Sequence, residues 1–309
     1  MKLNKLLCHV GDKEERLPTF FEDLDWLTGG LIVGGISTIA GRPAMGKTAF
    51  AMSVVRNMGI LNRIPTAVLS LADDAEYVAK RLMATQFGWD AVKRNDMQPT
   101  RLTAEQKEKI AMLQRMGFEA RETSNAEFLE SAKSAPVWIE HAPHMTMSEV
   151  VSRMERLKQE NDIRLLVIDS FGWIAPCSVS DDAMHSLASA AEMLKIAVLM
   201  VCDLTRAVEY RGGLKKPQLS DLRDGTLVEQ YSSLVMFIYR PEYYCVYEDN
   251  LGSTENMAYI IVARNRRGNT GEVRLRFVDH ARFDSLPHGL SFPPSPGGTV
   301  MPSGMNCDF

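Results

Sequence analysis

Eight residues of this chain, Gly41 to Thr48, read GRPAMGKT and match the pattern G-x-x-x-x-G-K-[ST]. The chemistry of that pattern is the capture of a polyphosphate. Gly41 and Gly46 let the backbone curl so that successive N–H groups face one anion, and a helix starting where the loop ends adds its positive N-terminal end. Lys47 is the residue to reach the β- and γ-phosphates of ATP, and the Thr48 hydroxyl is a ligand for Mg2+. The candidate nucleotide-binding stretch is therefore Gly41, Arg42, Pro43, Ala44, Met45, Gly46, Lys47, Thr48 and Ala49.

A magnesium site needs a second hard oxygen, and LLVIDS supplies Asp169 at the end of an apolar run. An aspartate ending a strand is, taken alone, a common turn or cap residue. Beside the Lys47 loop it reads as a metal ligand, so the expected metal set is Thr48 and Asp169.

These residues require a scaffold that brings loop and carboxylate to one edge. Short apolar runs rich in β-branched residues occur at 35–41, 66–71, 164–169, 196–202, 233–239 and 257–263, and they predict strands. The first four alternate with helical patterns at 47–58, 74–87 and 147–160, the order of a parallel sheet covered by helices. The predicted class is α/β, with a mostly parallel central sheet flanked by helices. Residues 1–18 read as an N-terminal arm, 19–286 as the folded domain, and 287–309, crowded with Pro, Gly and Ser, as a flexible tail. A polar stretch at about 90–134 reads as a helical insertion, with helical period in TAEQKEKIAMLQRMG.

Composition narrows the functional classes. A chain of 309 residues with 45% hydrophobic and 24% charged content can bury a large core. A net charge of −4 excludes a broadly basic nucleic-acid-coating protein, so any nucleic-acid contact must be local. Five scattered cysteines without ligand-like spacing predict a reduced compartment, and no apolar run approaches the ~20 residues of a membrane span. A cytoplasmic protein without membrane contact is expected.

Six segments carry a resemblance to a known family. FEDLDWLTGGL (21–31), GRPAMGKTAFAMSVVRNM (41–58), SLADDAEYVAKRL (70–82), LLVIDS (165–170), SDLRDGTLVEQYSSLVMFIYRPEYY (220–244) and ARNRRGNTGEVRLRFVDHARFDSL (263–286) resemble the C-terminal motor domain of DnaB-type replicative helicases. That resemblance implies a RecA-like P-loop NTPase core that hydrolyses ATP at subunit interfaces of a ring, a hexamer in the family's manner, while moving on single-stranded DNA. It implies Arg266 as the arginine finger acting on a neighbour's γ-phosphate, Arg264 as the basic residue two positions before it, and Arg240 near the adenine. Read without the family, RNRRG is only a basic turn. DLRDG (221–225) corresponds to the family's single-strand-binding loop, which points to Arg223 and Asp224 as DNA contacts. Arg211, Lys215 and Lys216 in RGGLKKP form the other local basic cluster suited to phosphate. A loader, a primase or a host helicase is the protein partner the resemblance implies.

The chain departs from the family at particular points. Where relatives carry the glutamate that polarises the attacking water, this chain has Ala72; Asp73 is the candidate replacement, provided the strand end is shifted by one residue. Asp203 stands where the family senses the γ-phosphate with glutamine, and a carboxylate there must move away, be protonated or find a cation. The segment after Asp169 reads as a short loop carrying Asp181 and Asp182 instead of basic residues, and the N-terminal domain of bacterial members is expected to be missing, as in a pared-down phage or plasmid relative. Two functions follow: a DNA-translocating ATPase, or an ATP-binding, hydrolysis-deficient homologue acting as an assembly or regulatory module. A recombinase or clock-type ATPase shares the implied fold but not DLRDGTLVEQ and ARNRRGNTG.

Overall fold

The computed structural model describes residues 15–94, 97, 125–175, 179–223 and 225–286. In chain order the elements are β1 (Arg16–Leu17), α1 (Glu22–Thr28), β2 (Leu31–Ile32), β3 (Ile36–Gly41), α2 (Lys47–Val55), β4 (Thr66–Ser70), α3 (Ala75–Phe87), α4 (Trp89–Lys93), α5 (Asn125–Lys133) and β5 (Val137–His141). They continue with α6 (Met147–Asn161), β6 (Leu165–Asp169), α7 (Asp181–Leu194), β7 (Ala197–Asp203), α8 (Ala207–Tyr210), α9 (Gly225–Tyr231), β8 (Ser232–Tyr239), the small pair β9 (Glu248–Asp249) and β10 (Gly252–Ser253), β11 (Met257–Asn265), β12 (Gly271–Val278) and β13 (Arg282–Ser285).

The main sheet has nine strands in the order β13-β12-β11-β8-β3-β7-β6-β4-β5. From β8 to β5 all neighbours are parallel, whereas β11, β12 and β13 extend the sheet in antiparallel fashion. The inner parallel strands β3, β4, β6, β7 and β8 are buried along nearly their whole length because both faces are covered. Ile39 and Val167 point into a core shared with Phe50 of α2, Val78 of α3 and Phe128 of α5. Ala40 and Ile168, one residue further on, point to the other side, against Met154 of α6 and Leu187 of α7. The predicted α/β class is the one observed, and all six predicted strands are present.

Some expectations need correction. β5 is not among the predicted strands: VWIEH is an edge strand whose residues are half-buried or exposed, so it lacks the continuous apolar signature of its neighbours. The segment after Asp169 is only partly a loop, since Asp181 and Asp182 form the first turn of the 14-residue α7, capped by Ser180, whose Oγ accepts from the Ala183 amide. Acidic residues there suit the positive end of a helix. Arg16 and Leu17, expected in an arm, pair with Ile32 and Leu31. The arm up to residue 14, most of the insertion including 103–117, and the tail from 287 lie outside the described residues. Among the described residues no helix is long and apolar enough to cross a membrane.

Candidate nucleotide site

The loop between β3 and α2 is held in shape from beneath. Gly46 has φ +94°, which glycine adopts freely, and it caps α2 as Phe50 N–H donates to the Gly46 carbonyl at 2.8 Å. A Cβ at Gly46 would lie 3.1 Å from the Phe283 ring and 3.2 Å from that of Phe277. Those rings belong to the antiparallel strands, which fold across α2; Phe283 also meets Phe50 edge-on, and its amide donates to Ser53 Oγ. Every residue of α2 from Ala49 to Val55 is buried, as expected of a helix covered on all sides. Gly46→Ala is therefore expected to cost about 1–3 kcal/mol of stability through the left-handed backbone and the ring clash. Nucleotide binding should be lost with it, and thermal unfolding with and without ADP reads both effects.

Two arginines fix the same loop. Arg240 is buried with its guanidinium 4.5 Å over the Phe277 ring, and it donates to the Ala44 carbonyl at 3.2 Å and to Glu242. Burial pulls its pKa down and Glu242 partly restores it. The family places this arginine near the base; in this chain it contacts the loop backbone. Arg42 turns outward, donating to Glu209 Oε1 at 2.9 Å and to the Leu204 carbonyl at 3.2 Å. Glu209 also accepts from the Tyr244 hydroxyl, whose pKa is pushed up to about 12 by burial and by that carboxylate.

The strand register assembles the reacting edge. Gly41 of β3 lies opposite Asp203 of β7, and Asp169 of β6 lies between Val201 of β7 and Ser70 of β4. The carboxyl ends of four adjacent parallel strands thus carry the loop, Asp203, Asp169 and the turn at Ala72 and Asp73, which is where ligands of such sheets bind. The Thr48 hydroxyl faces the Asp169 carboxylate closely enough to lower its pKa. Burial raises the Asp169 pKa, opposed by that hydroxyl and by the charges of Arg81 and Lys47, while Asp73 raises it further. A buried carboxylate facing a hydroxyl is a pair of hard oxygens short of a cation, which fits Mg2+. Among the described residues no group of three His, Cys, Asp or Glu side chains could hold a metal unaided.

Asp203 has found the cation it needed. Lys47 Nζ lies 3.1 Å from Asp203 Oδ1 and donates to the Arg42 carbonyl at 3.3 Å. Asp73 is also paired: its Oδ2 is 3.4 Å from Arg81 Nε, and its own carbonyl accepts from Ser70 Oγ at 2.5 Å. Asp74 is spent as the cap of α3, accepting from the Tyr77 amide. Arg81, whose guanidinium lies 4.8 Å over the Tyr77 ring and 5.6 Å over that of Trp89, is not singled out by the sequence because its partner is eight positions away and no motif joins them.

The remaining predicted residues lie elsewhere. Arg264 donates to Glu229 of α9 at 2.9 Å, and with Arg266, Gln230 and Leu222 it lines a cleft of about 610 Å3. Arg266 is exposed, its amide donating to the Ser233 carbonyl at 2.9 Å. Ser233 sits at the start of β8, beside the start of β3. Arg266 is thus roughly 13 Å along the sheet and about two strand spacings (~10 Å) across it from Gly41. No arginine side chain bridges that gap, so Arg266 cannot act on the cradle of its own chain.

The basic loop is neutralised within the chain. Arg211 donates to Asp221 Oδ1 at 2.5 Å and to the Lys216 carbonyl, and Lys216 donates to both oxygens of Glu272 at 2.8 and 2.7 Å. Lys215 lies 5.6 Å over the Tyr244 ring. Arg223 is exposed, with its amide on the Asp203 carbonyl, and Asp224 lies outside the described residues.

Residues 16–285 match the DnaB-like helicase C-terminal domain. The replicative DNA helicase DnaB of Haemophilus influenzae is 32% identical over 293 residues, covering 92% of this chain and 58% of that protein. Its namesake in Geobacillus stearothermophilus is 29% identical over 279 residues, covering 87% and 56%. The chain thus spans a little over half the length of these relatives. Among solved structures, an isolated ATPase domain aligns with a TM-score of 0.72 at 25% identity, covering 92% of this chain and 99% of that one. A DnaB-like replicative helicase studied with its primase aligns with a TM-score of 0.71 at 25% identity, covering 92% and 66%. The fold is the RecA-like core that the resemblance implies. With six motif segments, the sheet order and these alignments in agreement, the chain belongs to the DnaB-like helicase C-terminal domain family.

Proposed function

We propose that this chain is the motor module of a ring-forming replicative DNA helicase. It binds ATP with Mg2+ between adjacent subunits and moves along single-stranded DNA in the cytoplasm. The observation that carries the reading is the division of the machinery between two ends of one sheet. Lys47, Thr48 and Asp169 meet at the carboxyl edge, and Arg266 stands exposed near the opposite end, beyond reach of its own cradle. A heterologous contact that repeats one cradle against one finger gives a ring when the rotation between copies closes.

The cradle holds the phosphates through the loop amides and Lys47, and the Thr48–Asp169 pair would hold Mg2+, which supplies charge neutralisation for the leaving phosphates when bound. Asp73 is the carboxylate available to orient water, and its Oδ2 faces Arg81 Nε at 3.4 Å. Arg223 and Lys215 are the basic residues available to single-stranded DNA, since Arg211 and Lys216 are engaged by Asp221 and Glu272. Contact with a primase would follow the precedent of the relative whose structure was studied with primase.

The absence of a carboxylate at Ala72 and the Lys47–Asp203 pair favour a second reading, in which ATP is bound but turned over poorly and the chain assembles with an active helicase. Steady-state ATP hydrolysis, with and without single-stranded DNA and with Lys47→Ala as background, separates the two. Stimulation by DNA well above that background is the expected result. A rate equal to background in protein that binds ATP would leave only the assembly role.

A further inference from the structure

Asp203 is the charged group whose position the family's chemistry does not require. Its Cα lies opposite Gly41 in the β3–β7 register, so its side chain emerges beside the phosphate loop. Lys47 Nζ, the group that would bridge the terminal phosphates, instead contacts Asp203 Oδ1 at 3.1 Å. The pair is largely withdrawn from water, with side chains 11% and 30% exposed, so it is screened less than a surface pair.

The surroundings offer little compensation. Arg42 is committed to Glu209, Lys47 pairs with Asp203 and Arg81 with Asp73, and the charges of Lys47 and Arg81 also act on Asp169. Three carboxylates therefore share two cations before any nucleotide arrives. Behind Asp203 the backbone of Gly172 closes in, since a Cβ there would lie 3.3 Å from Asp203 Oδ2 and 3.9 Å from an Arg223 guanidinium nitrogen.

We propose that Asp203 makes this site favour a nucleoside diphosphate over the triphosphate, by holding Lys47 where a terminal phosphate would otherwise sit. The inference rests on the nucleotide-site reading above. A diphosphate ends at the β-phosphate and leaves the Lys47–Asp203 contact in place. A triphosphate brings its γ-phosphate to the same ammonium, so an anion must be seated against a carboxylate or the carboxylate must be displaced. Asparagine and glutamine keep a polar side chain there and remove the charge.

The test is calorimetric titration of the full chain, Asp203→Asn and Asp203→Gln with ADP and with the β,γ-imido analogue of ATP, all with Mg2+. The wild type is expected to bind ADP more tightly than the analogue. Each variant should tighten analogue binding by about tenfold relative to ADP, as loss of a like-charge contact would. A ratio of the two affinities that stays within about twofold of wild type in both variants overturns the proposal while leaving a nucleotide site. Wild-type protein that binds neither nucleotide overturns the nucleotide-site reading, and the proposal with it.

Discussion

Arg266→Ala is expected to lower DNA-stimulated ATP hydrolysis by about 10³-fold or more, the range in which an arginine finger contributes to phosphoryl transfer. The affinity of an isolated subunit for ADP should stay unchanged, because Arg266 stands roughly 13 Å along the sheet from the cradle of its own chain. Its backbone is anchored on Ser233 and its side chain is exposed, so the substitution removes no buried contact and protein stability should be preserved. Arg266→Lys should rescue little, since an ammonium cannot reproduce the planar fork that spans two phosphate oxygens. Rates measured at several protein concentrations check the claim. A loss of the same size in the affinity of dilute protein for ADP would place Arg266 at its own cradle and contradict the geometry.

Ala72→Glu is expected to raise turnover by about 10²-fold, toward the range that a general base contributes. Ala72 is exposed just beyond the end of β4, and its neighbour Leu71 donates its amide to the Asp169 carbonyl at 2.8 Å. A carboxylate at position 72 therefore starts next to the strand that carries the proposed metal ligand, with no packing to disturb. Asp73 already lies close enough to raise the Asp169 pKa, but its oxygen is held by Arg81. Asp73→Asn separates the alternatives. If it silences the wild-type rate while leaving Ala72→Glu fast, Asp73 is the working carboxylate and position 72 can replace it. If Ala72→Glu leaves turnover unchanged, the limiting step lies elsewhere, and the Lys47–Asp203 contact is the next group to alter.

The parallel strands were legible because burial on both faces writes them as unbroken apolar runs, and the phosphate loop because its glycines and its lysine are fixed by local backbone geometry. β5 was not, because an edge strand such as VWIEH mixes Trp138 and Ile139 with Glu140 and His141. Sequence showed the charges of RGGLKKP but not their partners: Asp221 lies ten positions from Arg211, and Glu272 fifty-six from Lys216. The fate of Asp203 had three chemical solutions on paper, and only the register of β3 with β7 selects its contact with Lys47. Phe277 and Phe283, which support Gly46 from below, belong to strands more than two hundred residues away, and nothing local announces them.

In the proposed ring, one catalytic unit is built from two copies of the chain. Mixing Lys47→Ala with Arg266→Ala tests it most directly, because each variant is deficient for a different half of that unit. In a head-to-tail ring of mixed subunits, about a quarter of the interfaces join an intact cradle to an intact Arg266. The mixture is expected to hydrolyse ATP in the presence of single-stranded DNA well above the sum of the two separate variants. A mixture no faster than that sum, in rings shown to contain both variants, would contradict it.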